Sequence, residues 1–256
     1  LLPLLLESMR LPYTGGRAAS LLQCIDKVDV KRQFRSLRLP TPDWLAMDDC
    51  HEINAGRYIV KARYEHASIG MDDSAIVEIS SAGQLRDIIA DRTRQFGFEM
   101  FAEAFVDGRE FNLSLVASAT GDVRALPPAE IDFTAFPANK PRIVGYDAKW
   151  TADSFEFQAT PRTFDFVAGD AGLLDRLRVI ATSVWTAFGL TGYARVDFRV
   201  DREGQPLILE INTNPCLSPD AGFQAAVARA GMTFADAIEA ILQDARRSTN
   251  GIRSGG

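Results

Sequence analysis

The stretch from Gly192 to Pro215 constrains this chain most, because two runs of alternating polar and apolar residues flank Asp201-Arg-Glu-Gly204. The pattern predicts two antiparallel strands, Arg195 to Val200 and Pro206 to Asn212, joined by a four-residue loop. Side chains alternate faces along a strand, so Arg195, Asp197 and Arg199 share one face. On the return strand Ile208, Glu210 and Asn212 share a face, and the loop length sets 197 opposite 208 and 195 opposite 210. Asp197, Glu210 and Asn212 then project together beside Arg195. Such hard oxygen donors suit Mg²⁺ serving a nucleotide. A solvated hairpin face with a cross-strand Arg–Glu pair fits the same spacing, which leaves the two readings level.

Composition narrows the classes around this hairpin. With 256 residues, 46% hydrophobic and 24% charged, the chain is neither collagen-like, coiled coil nor disordered. The net charge is −6 and no stretch collects Lys and Arg, which argues against a nucleic-acid partner. The opening Leu-Leu-Pro-Leu-Leu-Leu is too short to span a bilayer and lacks the flanks of a signal peptide, so no membrane partner is expected. Cys24, Cys50 and Cys216 are odd in number and share no C-x-x-C spacing, which suits a reducing, cytoplasmic setting.

Periodicity predicts a helix over Leu4 to Met9 and then a short strand, with a loop at Pro12 to Gly16. A helix follows over Leu21 to Leu37, ended by Pro40 and Pro42. Strands are predicted at Arg57 to Lys61 and Ala75 to Ile79, then a helix over Ser81 to Ala90 with Ser81 as N-cap. Strands at Phe98 to Glu103 and Glu110 to Val116 flank the turn Asp107-Gly108. Residues 127 to 162 lack a clean period, and so long a loop is usually functional. A helix over Leu173 to Phe188 precedes the hairpin, and two more follow near 220–230 and 233–245, before a polar tail from Ser248.

Gly192-Tyr-Ala-Arg-Val-Asp-Phe-Arg-Val200 and Leu207-Ile-Leu-Glu-Ile-Asn-Thr-Asn-Pro215 resemble the C-terminal signature of the ATP-grasp superfamily, within it the D-alanine–D-alanine ligase-like group. Pro12-Tyr-Thr-Gly15, Asp26-Lys27, Ile59-Val-Lys61, Glu65 to Gly70, Glu103 to Glu110 and Tyr146 to Lys149 extend it in the family's order. The resemblance implies an α+β chain of the ATP-grasp fold, two α+β subdomains sandwiching ATP. It assigns 1–20 to a remnant of an N-terminal Rossmann-like subdomain, 21–105 to the central subdomain, 106–247 to the C-terminal one and 248–256 to a flexible tail. Because the chain starts at Leu1, either a fragment or a partner chain that completes the site is expected.

The resemblance also implies roles. Two Mg²⁺ ions, with Mn²⁺ as an alternative, sit on Asp197, Glu210 and Asn212. Lys27 and Lys61 match lysines that contact the phosphates and the base region. Residues 64–71 take the place of a phosphate-covering loop that keeps Glu65, Ser68 and Gly70 but has His66 and Ala67 where Gly and Ser are usual. Glu103 and Val106 fall on the adenine-contacting linker, whose usual Lys is Ala104 here, and Glu110 matches the acceptor of the ribose hydroxyls. Lys149 matches a lysine that reaches the phosphates when the long loop closes, and Trp150 stands where an aromatic shapes the first-substrate pocket. Arg195 matches the arginine that stabilises a tetrahedral oxyanion. The implied reaction joins two amino-acid-like small molecules: a carboxylate attacks the γ-phosphorus of ATP, and an amine displaces phosphate from the acyl phosphate.

Beyond the hairpin the chain departs from the family. Cys216 replaces a Gly of the oxyanion hole, and Asp220-Ala221-Gly222 occupies the stretch that holds the second substrate's carboxylate. An acid at Asp220 and no hydroxyl at Ala221 predict an acceptor without a carboxylate there, or with a cation. A catalytic thiol at Cys216 lacks a nearby His, since only His51 and His66 exist, which favours a small neutral residue. Three readings remain: a ligase for other amino-acid-like substrates, D-alanine–D-alanine ligase itself, or an ATP-binding module without ligase activity. A homodimer stays open.

Overall fold

Asp26 divides what the apolar spacing of 21–37 predicts as one helix. Its carboxylate accepts the N–H of Val28 at 2.9 Å and of Asp29 at 3.3 Å, and this N-cap starts a new helix. The computed structural model therefore has α1 (Leu2–Ser8), α2 (Ala18–Gln23) and α3 (Lys27–Ser36). It describes residues 2–253 except 51, 66, 67, 119 and 121, and only the backbone over 248–253. Among the described residues no strand forms between α1 and α2, where a short one is predicted.

The first sheet holds β1 (Trp44–Leu45), β2 (Gly56–Ala62), β3 (Ile76–Ile79) and β4 (Met100–Ala104), antiparallel in the order β1-β4-β2-β3. Helix α4 (Ala82–Phe96) buries Leu85 and Ile89 against Val60 and Ala102 on one face. Ser81 caps it as predicted, accepting the N–H of Gln84 at 3.3 Å, but the helix runs past Ala90 to Phe96.

The second sheet holds β5 (Arg109–Ala117), β6 (Val123–Ala125), β7 (Ala129–Ile131), β8 (Arg162–Thr163), β9 (Tyr193–Val200) and β10 (Pro206–Asn212). It runs β10-β9-β5-β7-β8, with β6 also on β5. β4 and β5 belong to different sheets, so residues 105–108 cross between sheets and make no hairpin. Between β7 and β8 the aperiodic stretch carries α5 (Tyr146–Trp150) and α6 (Phe155–Gln158) over a small cluster of Ile131, Phe133, Phe136 and Ala159.

Helix α7 (Ala171–Ala187) buries Leu177, Ala181 and Val184 against Phe111 and Val196 on one face of the second sheet. On the other, Phe223 of α8 (Gly222–Arg229) and Ile241 of α9 (Phe234–Arg253) pack with Val116 and Tyr193. α9 continues to Arg253, past Ser248 where a tail is predicted, and residues 254–256 lie outside the described residues. α3 joins the two units: Val28 packs with Trp44 and Phe101, while Val30 and Phe34 enter the core of the second sheet.

The β9–β10 hairpin forms with a different register from the one its loop length predicts. Glu210 pairs with Asp197 and Asn212 with Arg195, because the ladder shifts between Ile208 and Glu210. The extra residue is a bulge that reverses the alternation. Ile208, predicted on the face of Glu210, instead joins Ile211 in the core. Leu209 turns with Glu210 toward the space between the sheets.

Candidate functional site

A cleft partly open to solvent lies between the two sheets. β2 and β4 line one wall with Lys61 and Glu103, and β5, β9 and β10 line the other with Glu110, Asp197 and Glu210. Ala104 at the end of β4, with Phe105 and Val106 of the crossing segment, forms an edge between them.

Glu210 is the electrostatic centre. Burial pushes its carboxyl up, but Lys27, Lys149, Lys61 and Arg195 outweigh that and hold it down to about 2. Around the cleft Lys27, Lys31, Lys61, Lys149, Arg195 and Arg199 outnumber Glu103, Glu110, Asp197 and Glu210, so it carries a surplus of positive charge and attracts a further anion. Lys27 stands at the first position of α3, where its ammonium donates to the carbonyls of Ala62, at 3.1 Å, and Glu65. Burial lowers the pKa of that ammonium, with Glu210 acting against it.

Glu103 is only 1% exposed and sits between two lysines. One carboxylate oxygen meets Lys61 and the other lies 2.6 Å from Lys31. Burial raises its pKa, yet Lys31 and Lys61 together bring it below the ordinary range. Lys31 also donates to Thr41 Oγ1 at 3.0 Å, and Thr41 donates to the Ile208 carbonyl at 2.8 Å, which ties the lysine cluster to β10. Glu110 is similarly engaged, 2.8 Å from the guanidinium of Arg199, its register partner on β9. Burial pushes the Glu110 carboxyl up, opposed by Arg199 and reinforced by Asp197.

Arg195 and Asp197 form a two-point pair, with Nε to Oδ1 at 2.6 Å and Nη2 to Oδ2 at 2.8 Å. Asn112 adds a hydrogen bond to Oδ1 at 2.9 Å. Burial lowers the pKa of the guanidinium, but Asp197 more than restores its charge. Asn212 Oδ1 accepts the N–H of Asn214 at 3.0 Å. Asp197 and Glu210 face each other on neighbouring strands, Glu210 is firmly ionised, and carboxylate oxygens keep lone pairs beyond one hydrogen bond. This donor set fits a hard divalent cation such as Mg²⁺.

The long stretch between β7 and β8 closes against the loop after β2. Tyr146 N–H donates to the Met71 carbonyl at 3.0 Å, and Ser68 Oγ to the Val144 carbonyl at 3.4 Å. Lys140 bridges Asp73 and Glu156, at 2.8 Å from each. Gly145 permits this seating, because a Cβ there would lie 2.4 Å from the Met71 carbonyl oxygen. Lys149 thereby reaches the cleft.

Lys27, Lys61, Ser68, Glu103, Val106, Glu110, Lys149, Asp197 and Glu210 thus line one cleft. Arg195 adjoins it through Asp197 and Glu210. Glu65 is exposed and offers its carbonyl to Lys27, and Gly70 holds a left-handed φ of 72° against Phe96. His66 and Ala67 lie outside the described residues. Trp150 is 60% exposed, and Cys216 and Asp220 lie on the exposed turn after β10, ahead of Ala221. Cys216 Sγ is 2.6 Å from Ser218 Oγ, and that hydrogen bond draws the thiol's pKa down. Sequence reasoning missed Lys31, although its spacing from Lys27 and Phe34 sets it on the buried face of α3. It also gave no role to Arg199, which shares its strand face with Arg195 and Asp197, or to Arg162, which lies in aperiodic sequence.

Residues 44–243 match the family model described as D-ala D-ala ligase C-terminus. A D-alanine–D-alanine ligase of Synechococcus sp. is 28% identical over 94% of this chain and 70% of its own length. One from Laribacter hongkongensis is 30% identical over 90% and 69%, and an uncharacterised protein of Sinorhizobium fredii is 29% identical over 96% and 69%. Among solved structures, the D-alanine–D-alanine ligase of Bacillus anthracis complexed with ATP superposes with a TM-score of 0.73 at 20% identity, over 98% of this chain and 76% of that one. The Coxiella burnetii ligase gives 0.73 at 19% identity, over 99% of this chain and 65% of that one. The two sheets and the cleft between them are those of the ATP-grasp fold.

Proposed function

The chain belongs to the D-ala D-ala ligase C-terminus family, and from that membership we propose that it provides the ATP-binding and transfer site of an ATP-dependent carboxylate–amine ligase. The observation that carries this reading is Glu210, a half-buried carboxylate whose charge Lys27, Lys61, Lys149 and Arg195 support in the cleft between the sheets. With Glu103, Asp197 and Glu110 counted beside Glu210, the cleft's lysines and arginines still leave a surplus of positive charge, which a triphosphate together with a divalent ion balances.

In this reading adenine lies against Ala104 to Val106, and backbone groups there do more than the Glu103 side chain, which Lys31 and Lys61 already hold. Glu110 accepts the ribose hydroxyls while Arg199 fixes its orientation. Asp197, Glu210 and Asn212 would hold Mg²⁺, which offsets the charge of the phosphates when bound. Lys27, Lys61 and Lys149 align the triphosphate, and closure of the stretch from 140 to 150 over Ser68 and Met71 excludes water. A substrate carboxylate oxygen attacks the γ-phosphorus, ADP leaves, and an amine then attacks the acyl carbon and expels phosphate. The oxyanion formed in that second step falls to Arg195, whose guanidinium Asp197 holds in place.

Among the described residues no helix is long and apolar enough to cross a membrane. We place the reaction in the cytoplasm, where ATP is available and the free cysteines stay reduced. ADP release, measured with and without candidate amino acids, tests the function. A D-alanine–D-alanine ligase needs only D-alanine, a broader ligase needs another pair, and release with no amino acid at all would sink the reading.

A further inference from the structure

Asp220 is the reason to expect an acceptor without a carboxylate, and the structure sets a cation beside it. β8 pairs with β7 through Arg162 and Ile131, which carries Arg162 to the turn after β10. There its Nη1 donates to the Asp220 carbonyl at 3.2 Å. The guanidinium also lies over Gly222, where a Cβ would come within 3.3 Å of Nε. Gly222 opens α8 without the left-handed φ that calls for glycine, and a side chain there would press on the arginine as it now lies.

We infer that Arg162 receives the carboxylate of the acceptor amino acid and thereby selects acceptors that carry one. The inference rests on the ligase reading. Arg195 is paired at two points with Asp197, whereas Arg162 spends one of its five donors on a neutral carbonyl. Its planar fork matches a carboxylate in two-point geometry. Arg162 is exposed, yet partial desolvation and the neighbouring Arg195 both work against its charge while Asp220 supports it, so an anion arriving there relieves repulsion between the two guanidinium groups. Asp220 supports the arginine; it does not repel the substrate.

The test compares D-alanine with D-alaninamide as acceptors in the full-length protein, by ADP release and product mass. Wild type should prefer D-alanine. Arg162→Ala should raise the KM for acceptor D-alanine about 10- to 100-fold, the loss of a charge-assisted hydrogen-bond pair, and erase the preference, with the KM for ATP unchanged. Arg162→Lys should recover part of both, and thermal melting should show all three proteins folded. An unchanged acceptor KM in Arg162→Ala, an equal rise for acid and amide, or a wild-type preference for the amide overturns the inference and leaves the ligase reading intact. No ADP release by wild type with any amino acid overturns both.

Discussion

Lys31→Met removes one ammonium from the buried Lys31–Glu103–Lys61 cluster while keeping the side chain's bulk. Lys31 and Glu103 are each 1% exposed, and their charged atoms lie 2.6 Å apart. At an effective dielectric near 20 that separation corresponds to about 6 kcal/mol of gross attraction, against several kcal/mol for desolvating the ammonium. Removing one partner of a buried pair typically costs 3–5 kcal/mol. Lys61 still holds the other oxygen of Glu103, so the low end, about 3 kcal/mol, applies. For a chain of this size that lowers Tm by about 6–12 °C.

Glu103 is held below its ordinary pKa in the folded chain, so its ionisation adds stability above the unfolded value of about 4.3. That stability is lost as pH falls. Lys31→Met reduces the shift and should flatten the acid limb of the Tm profile. Glu103→Gln in the same chain removes the stranded charge, so the double variant should be more stable than the sum of the single effects by about 1 kcal/mol or more. Thermal unfolding followed by circular dichroism between pH 3 and 8 measures all of this. A Tm drop under about 2 °C, or strict additivity in the double variant, would refute the account of the cluster.

Glu210→Gln should lower turnover at least about tenfold and remove the dependence of ATP binding on Mg²⁺, read by titration calorimetry with and without EDTA; unchanged Mg²⁺ dependence would take the metal away from this hairpin. Gly145→Ala puts a methyl group 2.4 Å from the Met71 carbonyl oxygen, and should unseat the closing stretch and lower turnover about tenfold with the circular dichroism spectrum unchanged; full activity would show that this closure is not needed.

The hairpin was legible because alternation is a strong local signal, and Asp197, Glu210 and Arg195 do come together on it. Its register was not, since a bulge at Leu209 leaves no mark in the residue pattern and is set by packing Ile208 into the core. The break before α3 was legible in retrospect: Asp26 is a good N-cap, but the apolar period ran across it. The double engagement of Glu103 was not, because Lys31 reaches it from a different element. Arg162 shows the same limit, as only the pairing of β8 with β7 brings it to Asp220. Contacts between distant segments decide which charges are already matched, and periodicity carries no information about them.

In the proposed function this cleft activates a substrate carboxylate by transferring to it the γ-phosphoryl group of ATP. The most direct measurement incubates the full-length protein with ATP, Mg²⁺ and D-alanine labelled with ¹⁸O in its carboxylate, then weighs the inorganic phosphate released. Transfer through an acyl phosphate moves one carboxylate oxygen into that phosphate, so one ¹⁸O per phosphate formed is expected. Phosphate released without label, at a rate matching product formation, would contradict it.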